Sequence, residues 1–511
     1  MKENIFRFIT EHLSEEGRFT SARLCDDQML DINLPSLGTE DAGYYSIDIE
    51  PDPQPAQELA QMLRTYIAAP SKQNRKKIYN SVSSFAYYCD NFLNEFTADE
   101  VNIIVFDLAR RFLYNSDSRY PVKFALLLFG LYGMEEIKNT DKHLWHDIVT
   151  IARCEEFTFA FLYACKIKNF LPHDEIWELI HVTSGWGKIF SILDYKCRND
   201  EERLWLLEVG PEIDVEYTPL AAKLICETHL EEMLTRELTY FQYKGAIACI
   251  GNYLIMYTQF PAQTIETNFN TQAINLKHLL ELIYMQAQHF VTTPDDVLEM
   301  ISYATTLTKL MDEQSLPQLT QNQAQVLIAS FEKIIFQKDW SPEIQEGLIK
   351  DDKIDYSLCD LAFELDMDIW QRLYDYWLAH PEETALFSYL LSYEEEGRAE
   401  KVLQQITAFM SHYTSSENAL LVPLRYLADH PGRGEGIICA ALKSFYEIPR
   451  GVACKILDIW GVQYITPAIR FALLEAARLS TNDFVQANIS TLLQGKRFDV
   501  EKYIKAQQRK K

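Results

Sequence analysis

The chain is short of the residues that make tight turns. It contains 18 glycines and 18 prolines in 511 residues, about 7 % of the sequence, whereas the two together usually make up about 12 % of a protein. Antiparallel β architectures need many tight turns, and tight turns need glycine and proline. The shortage therefore argues against an all-β fold and against collagen-like or linker-rich disorder.

Positive charge is also scarce. The sequence holds 48 lysines and arginines against 74 aspartates and glutamates, so its net charge is −26. A surface this acidic repels phosphate backbones and anionic lipids at long range. The charge therefore disfavours nucleic-acid binding. We interpret the one dense basic run before the C-terminal tail, Lys72 to Lys77, as a solvated helix face, and DNA binding through this run stays a further alternative.

Long apolar runs are missing. The longest, Phe124 to Met134 and Gly245 to Tyr257, fall well short of the about 18–20 residues that span a bilayer. Near the N-terminus, Arg7 and Glu11 interrupt the apolar stretch that a signal peptide needs. The sequence therefore predicts no membrane insertion and a cytoplasmic location.

The ten cysteines contain no C-x-x-C pair. Most lie in apolar helical stretches, as Cys249 does between Ala248 and Ile250, which is typical of reduced, buried thiols in a reducing compartment. Thiolate zinc sites need ligands clustered at short spacing. The sequence therefore predicts neither a metal site nor another cofactor.

The common catalytic motifs are absent, including G-x-S-x-G, the phosphate-binding loop and H-E-x-x-H. Two short spacings leave an enzyme open as the alternative: Glu178 with His181, and His143 with His146, each three residues apart. A di-iron bundle would need a second Glu-x-x-His motif and two more glutamates. We therefore assign no catalytic residue, and the alternative stays a metal- or small-molecule-dependent enzyme with a pocket between helices.

A helical period of apolar residues runs from Pro55 to the C-terminus. Its first example has the spacing i, i+3, i+4 and i+7 at Leu59, Met62, Leu63 and Tyr66. Thr97 and Glu100 form a capping box that is expected to open a helix. Joints at intervals of roughly 15–25 residues predict roughly twenty helices in an all-α fold. Since single cores stop growing at about 250–300 residues, we expect stacked helix hairpins, a HEAT- or armadillo-like α-solenoid.

The pattern predicts three regions. Residues 1–54 hold a short N-terminal helix and an irregular segment, residues 55–260 form an N-terminal helical-repeat region, and residues 261–511 form a C-terminal one. Polar residues accumulate near 261–275 and near 315–322. The sequence leaves open whether the helices form one array of repeats or two, and a break between two arrays would fall at one of these two places.

One segment carries a more specific pattern. Gly185-Trp186-Gly187-Lys188-Ile189 is followed by Trp205-Leu206-Leu207 and by a helix from Tyr217 to Lys223. The two glycines let the backbone pass close to a neighbour or begin a helix at an unusual angle. The structural interpretation is a packing device between repeats, and the functional one is partner binding through Trp186 and Lys188.

This segment resembles an uncharacterised bacterial family of large HEAT/armadillo-like α-helical proteins. Their pattern is Gly-Trp-Gly, a basic residue and Ile, then Trp-Leu-Leu, then a Tyr-x-x-Leu-Ala helix. The chain matches it at Gly185, Trp186, Gly187, Lys188, Ile189, Trp205, Leu206, Leu207, Tyr217, Leu220 and Ala221. It departs at Ser184, where relatives often have histidine. The resemblance implies an α-solenoid.

These observations predict a non-enzymatic α-solenoid scaffold or adaptor that binds a protein or peptide in its concave groove. Because opposite charges attract across an interface, an acidic groove prefers a basic partner. Trp186 and Lys188 are the candidate partner-binding residues.

Overall fold

The computed structural model describes residues 3–27, 36–45, 53–211, 213–268, 271–316, 318–393, 395, 397–413, 416, 418–500 and 503. Within these residues the fold is all-α, as the sequence predicts: it has 31 α-helices, six 3-10 turns and one two-stranded antiparallel ribbon. The chain forms two compact units, Met1–Lys338 and Asp339–Lys511. The boundary between the two units lies after Lys338. The boundary between the two predicted helical-repeat regions lies after residue 260.

The first unit contains twenty of these helices in its described residues. They are α1 (Ile5–Glu11), α2 (Thr39–Ala42), α3 (Gln54–Ala68), α4 (Lys72–Ser81), α5 (Cys89–Glu95), α6 (Ile103–Asn115), α7 (Arg119–Tyr132), α8 (Met134–Thr140), α9 (Lys142–Ala152), α10 (Glu155–Lys166), α11 (His173–Val182), α12 (Gly185–Asp194), α13 (Asp200–Val209), α14 (Leu220–Glu227), α15 (Leu230–Met233), α16 (Tyr240–Gln259), α17 (Ala262–Asn268), α18 (Leu276–Phe290), α19 (Pro294–Asp312) and α20 (Gln321–Ile335). The 3-10 turns here are Gly43–Tyr45, Phe85–Tyr87, Ala98–Glu100 and Thr271–Ala273.

The second unit contains the other eleven helices of the described chain and the ribbon. They are α21 (Ser341–Gly347), β1 (Ile349–Lys350), β2 (Lys353–Ile354), α22 (Tyr356–Glu364), α23 (Trp370–Ala379), α24 (Phe387–Leu390), α25 (Arg398–Ala408), α26 (Met410–Tyr413), α27 (Leu421–Ala428), α28 (Glu435–Leu442), α29 (Glu447–Trp460), α30 (Pro467–Leu479) and α31 (Asp483–Leu493). The 3-10 turns here are Thr384–Leu386 and Val462–Tyr464.

The expected number of helices, roughly twenty, is too low. Gly133 shows the reason: with φ +132 it ends α7, and α8 begins at the next residue. The apolar period continues through such a tight break, so the pattern merges two helices into one. The capping box of Thr97 and Glu100 opens only a 3-10 turn, and α6 has its own cap, Asn102.

In the first unit the helices form a row. The central row consists of α7, α10, α12, α14, α16 and α19, each packed on the next. Every member also packs on a helix close to it in the chain, which is α6, α9, α11, α13, α18 or α20 respectively. The second unit has two such rows, α24–α27–α29–α31 and α25–α28–α30. Most packing is therefore between helices that are near each other in sequence.

The N-terminal part of the chain covers the start of the central row. Helix α10 is buried along its whole length from Glu155 to Cys165. The rings of Tyr44, Tyr45 and Phe85 lie 5.0, 5.9 and 6.0 Å from that of Phe159 on α10. Of the predicted irregular segment, residues 28–35 and 46–52 lie outside the described chain.

A buried ion cluster of Asp41, Arg119, Lys123 and Glu156 holds this N-terminal cover in place. The Lys123 side chain is fully buried, and its Nζ lies 2.8 Å from Asp41 Oδ2 and 2.6 Å from Glu156 Oε1. Arg119 Nη1 lies 3.3 Å from Glu156 Oε2, and the same guanidinium pairs with Asp26 at 2.8 Å. The cluster thus joins α2, α7 and α10, and Asp26 ties a further part of the N-terminal segment to it.

The two carboxylates that share Lys123 titrate differently. Burial opposes the charge on Glu156, but Lys123 and Arg119 outweigh it, and its pKa lies below the ordinary value. At Asp41 burial outweighs the attraction of Lys123, and the nearby charge of Glu156 adds to it, so the pKa rises to about 7. The cluster therefore keeps its negative charge mainly on Glu156 near neutral pH.

Removing the buried ammonium should strongly destabilise the first unit. Lys123→Met leaves Asp41 and Glu156 buried without their shared cation, and breaking such a buried pair costs about 3–5 kcal/mol. Chemical denaturation followed by circular dichroism measures this. The control is Lys277→Met, whose pair with Glu281 is exposed and should contribute less than about 1 kcal/mol. Equal losses in the two variants would contradict the role given to the cluster.

The pKa of Asp41 predicts a pH dependence of stability. Its folded pKa is raised from 3.8 to about 7, so between these values the folded state keeps a proton that the unfolded state releases. The contribution of Asp41 to the free energy of unfolding must then fall as pH rises through this window. Asp41→Asn should abolish that decrease in denaturation curves recorded across the window. The folded-state pKa of Glu156 is lowered, so its contribution to the free energy of unfolding is lost as pH falls. Glu156→Gln should abolish that loss.

Candidate functional site

The Gly-Trp-Gly segment forms the first turn of α12. Gly185 begins the helix with φ +46, a conformation that favours glycine. Just before it, the N–H and hydroxyl of Ser184 donate to the carboxylate of Glu155 at 3.2 and 2.9 Å. The N–H of Gly185 donates to the carboxylate of Asp214 at 3.2 Å. Two carboxylates from neighbouring segments therefore hold the positive end of this helix.

Gly187 allows α12 to approach α10 closely. A Cβ at this position would lie 3.0 Å from Oγ1 of Thr158 and 3.1 Å from Cα of Glu155. Contacts this short leave little room for a methyl group. The glycine thus acts here as the packing device that the sequence suggested.

The two candidate partner-binding residues have different environments. Lys188 is buried, with 9 % of its surface exposed, and its Nζ donates to the carbonyl of Val209 at 3.0 Å. Trp186 is half-buried, with its ring 5.7 Å from Phe190 and 5.4 Å from Tyr217. Lys188 therefore ties α12 to the end of α13, while Trp186 presents part of its ring to solvent.

A pocket of about 310 Å³ opens beside Tyr217. Its walls are the segment that precedes α14, together with α14 itself and α16. The carboxylates of Asp214 and Glu216 lie at the exposed rim, and Asn252 adds an amide. This volume is at the small end of the range for ligand sites, about 300–1,000 Å³. We call this site the Tyr217 pocket.

Burial sets the protonation of two groups in the Tyr217 pocket. It raises the pKa of Tyr217 to about 12, so the phenol keeps its proton at neutral pH and can donate a hydrogen bond. It also raises the pKa of Cys249 to about 12. Since the thiolate is the nucleophile, Cys249 is inert. The pocket is therefore suited to binding a cation with its carboxylates and ring, and its cysteine does not suit covalent catalysis.

Glu178 and His181, the first pair considered for an enzyme, both have structural partners. Glu178 forms an ion pair with Arg153. The Nδ1 of His181 hydrogen-bonds the carbonyl of Trp177 at 2.8 Å, and its ring stacks on Trp205 at 4.0 Å. The two side chains thus hold helices together.

The other sequence candidates lie on the surface. His143 and His146 are exposed on either side of buried Trp145, whose indole N–H donates to Glu175 at 2.9 Å. The basic run on α4 is mostly exposed as well. In the part of the chain that the structure describes, no group of three or more His, Cys, Asp or Glu side chains could hold a metal ion.

Sequence reasoning missed Asp214, Glu216 and Asn252. The two acids follow Gly210 in a non-helical segment, and such segments often carry binding residues. Nothing local places them beside Trp186, which is 28 residues before Asp214. The spacing could have marked the segment as a loop, but only its packing with α14 and α16 forms the pocket.

Comparison with models of protein families, with curated proteins and with solved structures finds no match to this chain. The resemblance of the Gly-Trp-Gly segment to a bacterial family therefore stays a prediction. Among the described residues no helix has both the length and the apolar character needed to cross a bilayer.

The close packing of α12 on α10 can be tested by adding one methyl group at Gly187. Gly187→Ala should lower the free energy of unfolding by about 1–3 kcal/mol, since the added methyl meets Thr158 and Glu155. Gly451→Ala is the control: this helical glycine has only an ordinary contact of 3.5 Å, to Val485. There alanine should be neutral or stabilise by about 0.5–1 kcal/mol. Thermal unfolding compares the two, and a neutral Gly187→Ala would show that the contact is not tight.

Proposed function

We propose that the chain is an α-solenoid scaffold that binds a basic segment of a partner protein. In this proposal one lysine or arginine side chain of the partner enters the Tyr217 pocket. The rows of packed helices support the solenoid part, because in repeat proteins each hairpin contacts mainly its neighbours. Such stacks present long surfaces that suit extended partners.

The single observation that carries the choice of partner is the composition of the pocket rim. Asp214 and Glu216 are exposed there, and the described lining includes no lysine or arginine to neutralise them. Tyr217 and the half-buried ring of Trp186 lie alongside. Carboxylates attract a cation, and the face of an aromatic ring adds about 0.5–2 kcal/mol when a cation lies over it.

Charge on a larger scale favours the same partner. Residues 1–338 contain 48 acidic and 29 basic residues. This field speeds the approach of a basic segment and repels an acidic one. The volume of the pocket, about 310 Å³, suits one side chain, so the rest of the segment would lie along the neighbouring helices.

The test uses the full chain and an array of peptides that carry a central arginine or lysine. The same peptides with citrulline or acetyl-lysine at that position are the matched ligands without the charge. We expect binding by the charged peptides and loss of it in the neutral ones. The double variant Asp214→Asn with Glu216→Gln should weaken binding about tenfold, or about 1.4 kcal/mol. Asparagine keeps the acceptor for the Gly185 N–H.

Two further arms make this experiment decisive. Asp99→Asn with Glu237→Gln removes the same charge from exposed positions outside the pocket lining and should leave affinity almost unchanged. Equal weakening in both double variants would mean a general charge effect and would contradict the pocket. A stoichiometric metal that is lost in His181→Ala would instead favour the pocket-enzyme alternative.

A further inference from the structure

The C-terminal part of the second unit reverses the charge of the rest of the chain. Residues 401–511 contain 15 basic and 9 acidic residues, with five of the basic ones in the tail 502–511, whereas residues 339–400 contain 4 basic and 17 acidic ones. Solubility alone does not explain a positive region in a protein of net charge −26, because interspersed charges of both signs would keep the protein equally soluble.

Most of the cations in the described part of this region have no ion-pair partner among the described residues. Across the described residues from 401 to 500, Lys443 and Arg450 form ion pairs, with Glu475 and Glu447. The other lysines and arginines of that described stretch form no ion pair. They are Lys401, Arg425, Arg433, Lys455, Arg470, Arg478, Lys496 and Arg497.

Exposed apolar side chains concentrate in the same region. Nine of the nineteen large exposed apolar residues of the described chain lie between 445 and 500. Two of them are neighbours on α30, Phe471 at 57 % exposure and Leu474 at 49 %. A monomer gains nothing by exposing such residues together, and adjacent ones commonly mark an interaction surface.

Unpaired cations and exposed apolar side chains lie on the same face of α30. Leu474 lies one turn from Arg470, Phe471 and Arg478, so all four share the face opposite the buried residues. From α28, the Nζ of Lys443 lies 5.3 Å from the centre of the Phe471 ring. These five residues, which we call the α30 patch, form an apolar strip that is flanked by two arginines unpaired in the described chain and by the ion pair of Lys443 with Glu475.

We propose that the α30 patch docks an acidic amphipathic helix of a partner protein. Phe471 and Leu474 receive the apolar face of that helix, and Arg470 and Arg478, which have no ion-pair partner in the described chain, pair with carboxylates that flank it. Charge complementarity argues for this occupant over a second copy presenting the same face, because two such patches would repel. The proposal is independent of the basic segment proposed for the Tyr217 pocket.

Two other anionic partners fit the structure less well. On α29, of the other row, Ile448 and Ile459 are also exposed, at 47 and 51 %. A docked helix needs only the exposed residues of α30, whereas a lipid surface would also use exposed apolar residues of α29 such as Ile459. Nucleic acid fits less well because aliphatic side chains such as Leu474 give it little to bind, whereas they suit the apolar face of a helix.

The experiment measures fluorescence anisotropy of a labelled amphipathic peptide, with leucines on one face and glutamates beside them, added to the full chain. The matched peptide carries lysine for each glutamate. Vesicles containing phosphatidylserine and a single-stranded oligonucleotide are the other probes. We expect binding of the acidic peptide alone, weakened by added salt.

Variants locate that binding. Arg470→Glu with Arg478→Glu, and separately Phe471→Ser with Leu474→Ser, should each weaken it about tenfold or more. Lys496→Glu with Arg497→Glu reverses the same charge nearby, and Ile459→Ser removes an exposed apolar residue of α29; both should retain affinity. Circular dichroism and thermal unfolding check that each variant is folded.

Three outcomes would overturn the proposal. One is equal weakening by the control variants, which would mean general charge attraction. Another is equal affinity for the lysine peptide. The last is binding of vesicles or of the oligonucleotide without binding of the acidic peptide.

Discussion

A buried ammonium group, that of Lys123, is the constraint on which the first unit depends. Taking a charge out of water costs several kcal/mol unless carboxylates replace the water. Asp41 and Glu156 do so at 2.8 and 2.6 Å, and Asp41 belongs to the N-terminal segment. That segment must therefore stay on α7 and α10, where its aromatic rings complete the burial of the central row.

The N-terminal segment that Lys123 holds in place also contacts the candidate site. The N–H of Gly38, three residues before Asp41, donates to Glu156 at 3.1 Å. A Cβ on Gly38 would lie only 2.9 Å from Cβ of Trp186. The position of the N-terminal segment thus limits where Trp186 can lie, and Trp186 in turn packs on Tyr217 at the pocket. The buried ion cluster thus constrains the geometry of residues at the Tyr217 pocket.

The Tyr217 pocket and the α30 patch expose side chains of opposite charge. At the Tyr217 pocket, acidic side chains are exposed and the nearby lysine, Lys188, is directed to a backbone carbonyl. At the α30 patch, Arg470 and Arg478 have no carboxylate of their own in the described chain. An adaptor with these two surfaces would hold a basic and an acidic partner at once, and each surface would repel the partner of the other.

The sequence by itself determined the helices, because the apolar period and the shortage of glycine and proline are local properties that act within a few turns. It also indicated close packing at Gly187. It could not count the helices, since a break such as Gly133 leaves the apolar period intact. It suggested that Lys188 is available to a partner, whereas folding brings its Nζ within 3.0 Å of the Val209 carbonyl.

Only the tertiary structure decided the rest. Asp41 and Glu156 are 115 residues apart, and no local pattern shows that they share one lysine. Asp214 and Glu216 became rim residues because α14 and α16 pack beside their segment. The α30 patch exists because its opposite face is buried in the helix rows. Local periodicity specifies which residues form a helix, whereas burial, and with it the charge and pKa of each group, depends on which distant segments pack together.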